Sequence, residues 1–173
     1  ELLAAVGHDG GPLSQRTASD VAAYLGFTLH YVTDLPDSTR SISDLANKRI
    51  YLPSSAGGDP RGALLRALAA QVLGAHEPKN YRDFLLQRVE TNYLAAALMI
   101  PEKDAVGFLT RARDSRELSV EDLRDAYAVT YETAGHRFTN LASEHLGIPV
   151  HFLKTHESGT ILKAYENDDA QFP

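Results

Sequence analysis

Leu64-Leu65-Arg66-Ala67-Leu68-Ala69-Ala70-Gln71-Val72-Leu73-Gly74, followed by Arg88-Val89-Glu90-Thr91-Asn92-Tyr93-Leu94-Ala95-Ala96-Ala97-Leu98-Met99-Ile100-Pro101, decides the fold. Leu64, Leu68 and Val72 recur at helical spacing, which predicts one inward face on a helix from about Pro60 to Gly74. The Gly57-Gly58-Asp59-Pro60 loop before it ends in a capping Asp and a first-turn Pro, a strong helix start. The second segment predicts a longer helix from near Asn80 to Met99. Its small residues Ala95, Ala96 and Ala97 allow another helix to approach closely.

Outward from this pair the pattern mixes helices and strands. Thr17 to Gly26 reads as a short helix with polar residues at its start and a glycine just past its end. Phe27 to Val32 alternates as a strand, Leu35-Pro36-Asp37 turns, and Arg49 to Pro53 reads as another strand. Pro101 starts a further helix, with Val106 and Leu109 inward. Ser119-Val120-Glu121-Asp122 opens a short helix with a capping-box-like start. Thr130 caps a long helix through Leu146, closed by Gly147 and Pro149. Val150–Lys154 and Thr160–Tyr165 alternate around Glu157-Ser158-Gly159, a β-hairpin pattern. The order is α+β, a helical bundle with a small mixed sheet. Glu1 to Pro12 is Gly-rich and reads as a linker end, leaving 13–173 as one domain.

At 173 residues such a chain buries roughly 70% of its unfolded surface and needs no disulfide or metal staple. Hydrophobic content of 43% with 23% charge is that of a water-soluble globular protein. No apolar run reaches the length of a membrane span, about 18 residues, and there is no secretory signal. The chain contains no cysteine, which excludes disulfides and any iron–sulfur cluster held by these residues alone. That fits a cytoplasmic setting. A net charge of -6 argues against this segment being the main DNA-gripping surface. It leaves room for a local basic pocket facing a small anion. The seven histidines contain no i,i+4 pair and match no zinc spacing. No metal site is expected, and no G-x-S-x-G elbow or cysteine nucleophile suggests an enzyme. The chain opens on Glu1 and stops at Phe172-Pro173, which reads as a fragment with neighbours on both sides.

The second segment resembles the E-x-E-A-N-x-F-A-A-x-L-L-M-P stretch of the ImmA/IrrE family of zinc peptidase-like proteins. In that family the preceding helix carries H-E-x-x-H, two imidazoles and a Glu base on one face. Here those positions read Ala70, Gln71 and Gly74, and only Glu90, the counterpart of the third ligand, remains. The resemblance therefore implies a zincin-like scaffold lacking its metal site. Glu121–Tyr127, Tyr131–Ala142 (which holds Gly135-His136-Arg137-Phe138) and Lys163–Asp168 are similar to a narrower group, the PrpR/RamB-type regulators of short-chain fatty acid metabolism. That group implies an effector domain binding a short acyl-CoA such as propionyl-CoA. It also implies an N-terminal helix-turn-helix domain for DNA and a cysteine-containing segment, both outside this chain. A homo-oligomer is expected, to match two-fold operators.

An acyl-CoA needs cations for roughly four phosphate charges and a small apolar cavity for its acyl end. Replacing two imidazoles by Ala70 and Gly74 is expected to open such a cavity, lined by Ala69, Val72, Leu73 and Leu94. Asn92, Tyr93 and Gln71 are placed to meet the thioester carbonyl. Arg66, Arg88, Arg137 and Lys163 are the candidate phosphate or adenine contacts, each open to the plainer reading of a solvated or ion-paired side chain. His136 is either a structural hydrogen-bonder or a ligand contact. Tyr165 and Asn167 either cover the pocket or end a strand. Glu90 is a remnant, a buried acceptor or a pocket residue. The competing functions are a protein-interaction domain without small ligand and a residual hydrolase using Glu90 or His136.

Overall fold

The computed structural model describes residues 1–36, 38–54 and 59–165, and the chain divides into two units, Glu1–Met99 and Ile100–Pro173. Asp37, the Gly57-Gly58 loop and Asn167 lie outside the described residues. The class is α+β: seven helices and five strands among the described residues.

In the first unit one helical turn, α1 (Leu2–Ala5), occupies the segment expected as a linker end. Ser14 accepts from the Thr17 amide and so starts α2 (Gln15–Tyr24). Gly26, at φ +81°, turns the chain into β1 (Thr28–Val32). β3 (Arg49–Pro53) pairs parallel with β1 and antiparallel with β2 (Ile42–Asp44). The sheet is therefore mixed, as expected, with β3 at its centre. β2 carried no alternating apolar signal and is not legible as a strand; only its pairing with β3 defines it. Ile50 and Leu52, two apart on β3, are buried with Leu13, Val21, Leu64, Leu65 and Leu68. This core sits among α2, the sheet and α3 (Pro60–Val72).

Asp59 caps α3 by accepting from the Arg61 amide, with Pro60 in the first turn. Asp59 also holds the Arg61 guanidinium at 2.7 Å, and that guanidinium donates to the Leu13 carbonyl at 2.7 Å, tying α3 to the segment before α2. Val72 does not lie inward as its spacing suggested. It is 46% exposed and Leu73 45%. By angle Val72 still shares the face of Leu64, Leu65, Leu68 and Ala69, but it is the last residue of α3, where Val72, Leu73 and Gly74 are all exposed and the packing has ended. α4 (Tyr81–Met99) begins where the Asn80 side chain accepts from the Asp83 amide. It buries only Ala95, Leu98 and Met99.

In the second unit α5 (Glu102–Asp114) follows Pro101 at its cap position, with Ala105 and Leu109 buried and Val106 half-buried. Ser119 caps α6 (Val120–Tyr127) at the Asp122 amide, and Thr130 caps α7 (Tyr131–Leu146) at the Thr133 amide. Gly147, at φ +64°, closes α7 as expected. Leu109, Leu123, Tyr127, Ala134, Leu141 and Ala142 form this unit's core. Tyr127 donates to Asp104 at 2.8 Å, fastening α6 to α5. The hairpin is β4 (Phe152–Thr155) against β5 (Ile161–Tyr165), antiparallel with a register shift after Lys154.

Candidate functional site

The cluster with the most concentrated chemistry joins α7 to the hairpin. Glu132 and His136 stand one turn apart on α7, hence on one face. Gly135 beside them lets the hairpin approach: a Cβ there would stand 3.2 Å from Cε2 of Phe152. Phe152 uses that room to stack on His136, ring centroids 3.8 Å apart and planes 22° from parallel. Lys154 and Lys163 are direct register partners across the hairpin, so their ammonium groups emerge together. Lys154 Nζ donates to Glu132 Oε2 at 2.6 Å. Lys163 Nζ donates to His136 Nε2 at 2.9 Å and lies 4.0 Å from Glu132 Oε1.

That bond requires His136 to be neutral, with its proton on Nδ1. Burial pushes the His136 imidazole below its ordinary value, and the Lys163 charge pushes the same way, while Glu132, 3.7 Å from Nε2, pulls in the opposite direction. Glu132 is held below the usual carboxylate range, chiefly by the Lys154 hydrogen bond. Two ammoniums, one carboxylate and one neutral imidazole leave a net positive patch on an acidic chain. Each ammonium has three donors and is about half exposed. The pair is thus open to an oxyanion while Glu132 and His136 fix its position.

Of the sequence-predicted residues, the structure brings His136 and Lys163 together, and Tyr165 occupies the register position opposite Phe152. Arg137 is placed differently from expectation. It is 1% exposed, its Nε donates to the Ile100 carbonyl at 3.1 Å, and a second nitrogen lies 3.9 Å from Glu102. Residues 136 and 137 are adjacent on a helix and so point about 100° apart, which sends Arg137 inward. It fastens the start of α5 to α7 and presents no exposed charge to a ligand.

In the first unit Arg66 lies back along its own helix, where a Cβ on Gly62 would meet its guanidinium at 3.5 Å. Desolvation, then the charge of Arg40, hold its pKa below the ordinary value, with Asp59 opposing. Ala70 is half-buried; Arg88, Glu90, Asn92 and Tyr93 are exposed along α4. Gly74 is not a cavity wall. It lies past the end of α3 at φ +68°, and a Cβ built there would meet nothing within 4 Å. With Val72 and Leu73 also exposed, the last turn of α3 does not line the cavity expected there. Among the described residues no three His, Cys, Asp or Glu side chains gather as a metal-ligand set. A groove of about 430 Å³ between α5 and α6 is lined by Phe108, Arg111, Glu117, Asp122 and Asp125. Its carboxylates outnumber its single guanidinium, which disfavours an anionic ligand.

Sequence reasoning missed Glu132, Lys154 and Phe152. The signal was present: Glu132 and His136 share i, i+4 spacing, and Lys154 and Lys163 fall opposite each other once the hairpin's turn is fixed.

A solved structure of a Mycobacterium tuberculosis transcriptional regulator shares this fold, with a TM-score of 0.71 at 19% sequence identity. The match covers 95% of this chain and 52% of that one, so the chain spans about half that protein's length. At such identity the likeness concerns the fold. No protein-family model and no curated protein matches the chain. Among the described residues no helix is long and apolar enough to cross a membrane.

Proposed function

We propose that this chain is the effector-sensing domain of a cytoplasmic transcription regulator, binding a short acyl-CoA such as propionyl-CoA. DNA would be read by a domain outside this chain, and the regulator would act as a homo-oligomer. The supporting observation is the Lys154–Lys163 pair, held beside a neutral His136 and an aromatic ring on a domain whose fold a transcriptional regulator shares. In this reading the two ammoniums take phosphate oxygens as point charges, and Phe152 with His136 offers a flat surface to the ligand. Lys163, His136 and Tyr165 are carried forward from the sequence reading; Lys154 and Phe152 join them.

The α3–α4 pair would be a zincin-like scaffold without its metal, since Ala70, Gln71 and Gly74 offer no zinc ligand. The domain would accordingly bind its ligand without turning it over. A protein-interaction module is the second reading, favoured by the apolar residues exposed on α4. Thermal melting with acetyl-, propionyl- and butyryl-CoA separates the readings. A ligand at 100 times its Kd stabilises by about 2.7 kcal/mol. The proposal expects a rise in Tm with intact thioester recovered afterwards. An unchanged Tm at saturating concentrations contradicts it, and free CoA appearing on incubation would mark an enzyme.

A further inference from the structure

α4 is apolar on two opposite faces. One face packs inward through Ala95, Leu98 and Met99. On the other, Leu85, Val89 and Tyr93 form an exposed i, i+4 ridge, and Arg82, Leu86 and Glu90 form the ridge beside it. Val89 is 64% exposed and Leu86 54%. Neither Arg82 nor Glu90 forms an ion pair with a described residue. A helix apolar on both sides is normally covered on both sides.

We propose that this face binds the same face of a second copy of the chain, the two α4 helices antiparallel about a two-fold axis near Leu86. The charge pattern selects that partner. Arg82 and Glu90 lie equally far from Leu86, about 6 Å along the axis in opposite directions. A two-fold rotation through Leu86 therefore sets Arg82 of each copy opposite Glu90 of the other. The ridge is complementary to itself, as an isologous contact demands. Leu85, Leu86 and Val89 supply the apolar area between the two ion pairs, and Tyr93 extends it beyond them. The inference rests on the homo-oligomer proposed above and names its surface.

Analytical ultracentrifugation of the full chain tests it. The parent sediments as a dimer, and Leu86→Asp sediments as a monomer with unchanged circular dichroism. Arg82→Glu alone and Glu90→Arg alone each oppose like charges twice and weaken self-association by roughly tenfold or more. Mixing these two single variants restores a dimer, because each then meets the opposite charge. The double variant Arg82→Glu/Glu90→Arg also restores it. A monomeric parent overturns both the oligomer and its surface. A dimer indifferent to Leu86→Asp and to the charge reversals overturns the surface alone. Single variants that stay weak on mixing overturn the antiparallel arrangement.

Discussion

The outward side of the α3–α4 pair and the α7–hairpin cluster present opposite kinds of surface. Along α4, Arg88, Glu90 and Asn92 are exposed among apolar side chains. On α7 and the hairpin, Glu132, His136, Lys154 and Lys163 hold one another at hydrogen-bond distance around a stacked aromatic pair. The first surface exposes apolar side chains; the second carries preorganised polar chemistry. Polar groups already held by their neighbours lose little conformational freedom on meeting a ligand. The same contrast separates two arginines of the predicted set. Arg88 is exposed, whereas Arg137 is buried against a carbonyl and a carboxylate.

That pair of arginines gives the largest expected effect. Arg137→Ala removes the guanidinium from the Ile100 carbonyl and from Glu102, which keeps His145 at 3.5 Å, and opens a cavity, costing about 3 kcal/mol or more. Arg88→Ala is expected within about 0.5 kcal/mol of the parent. Urea denaturation of both variants checks this. Equal midpoints would return Arg137 to the list of ligand contacts and break the contrast.

Acidification sharpens the account of the cluster. The folded state depresses the His136 pKa below its ordinary 6.5, so it binds that proton more weakly than the unfolded chain does. The associated stability is complete above the ordinary value and is lost as pH falls through it towards the folded value. Glu132, depressed below 4.5, adds a second loss at lower pH. The denaturation midpoint should therefore fall below about pH 6.5 and again below about pH 4.5. His136→Phe keeps a ring against Phe152 and should remove the first fall while retaining the second. A profile unchanged by this substitution would show that the imidazole is solvated in the folded state.

The caps and the hairpin were legible because each rests on local rules, whereas of the residues read as inward Leu64, Leu68 and Leu109 are buried and Val72 is not. Asp59 with Pro60, Ser119, Thr130 and Gly147 all act where their residue types place them. β2 was not legible, since Ile42–Asp44 has no alternation of its own. Val72 failed because it is the last residue of α3, beyond the packed turns of the helix, although its spacing is that of the core face. The candidate site was half legible. His136 and Lys163 stood out, but their partners Glu132 and Lys154 required knowing which strand positions oppose each other. Gly74 illustrates the remaining gap. A glycine one turn beyond Ala70 fits both a vacated ligand position and a helix end, and its φ of +68° fixes the second. Gly74→Leu should thus destabilise by about 1 kcal/mol and leave thioester affinity unchanged.

Two helical glycines give the smallest effect and test the close approach at the cluster. Gly107→Ala on α5 would bring its Cβ within 3.5 Å of only the flexible end of Arg111, and should stabilise by up to about 1 kcal/mol through helix propensity. Gly135→Ala gains the same propensity but presses its Cβ against the stacked Phe152 ring, and overpacking costs roughly 1–3 kcal/mol. Its net effect should be zero or destabilising. If both alanines stabilise alike, the ring is not held tightly on α7.

Calorimetric titration of propionyl-CoA and free CoA into the parent, Lys154→Ala, Lys163→Ala and Arg88→Ala tests the central claim most directly. Each lysine substitution should weaken both ligands by about 1.5–3 kcal/mol, the loss of a charge-assisted phosphate contact. Arg88→Ala should leave both affinities unchanged. Parent-like binding by both lysine variants, or selective loss on Arg88→Ala, would contradict the assignment of the α7–hairpin cluster as the ligand-facing surface.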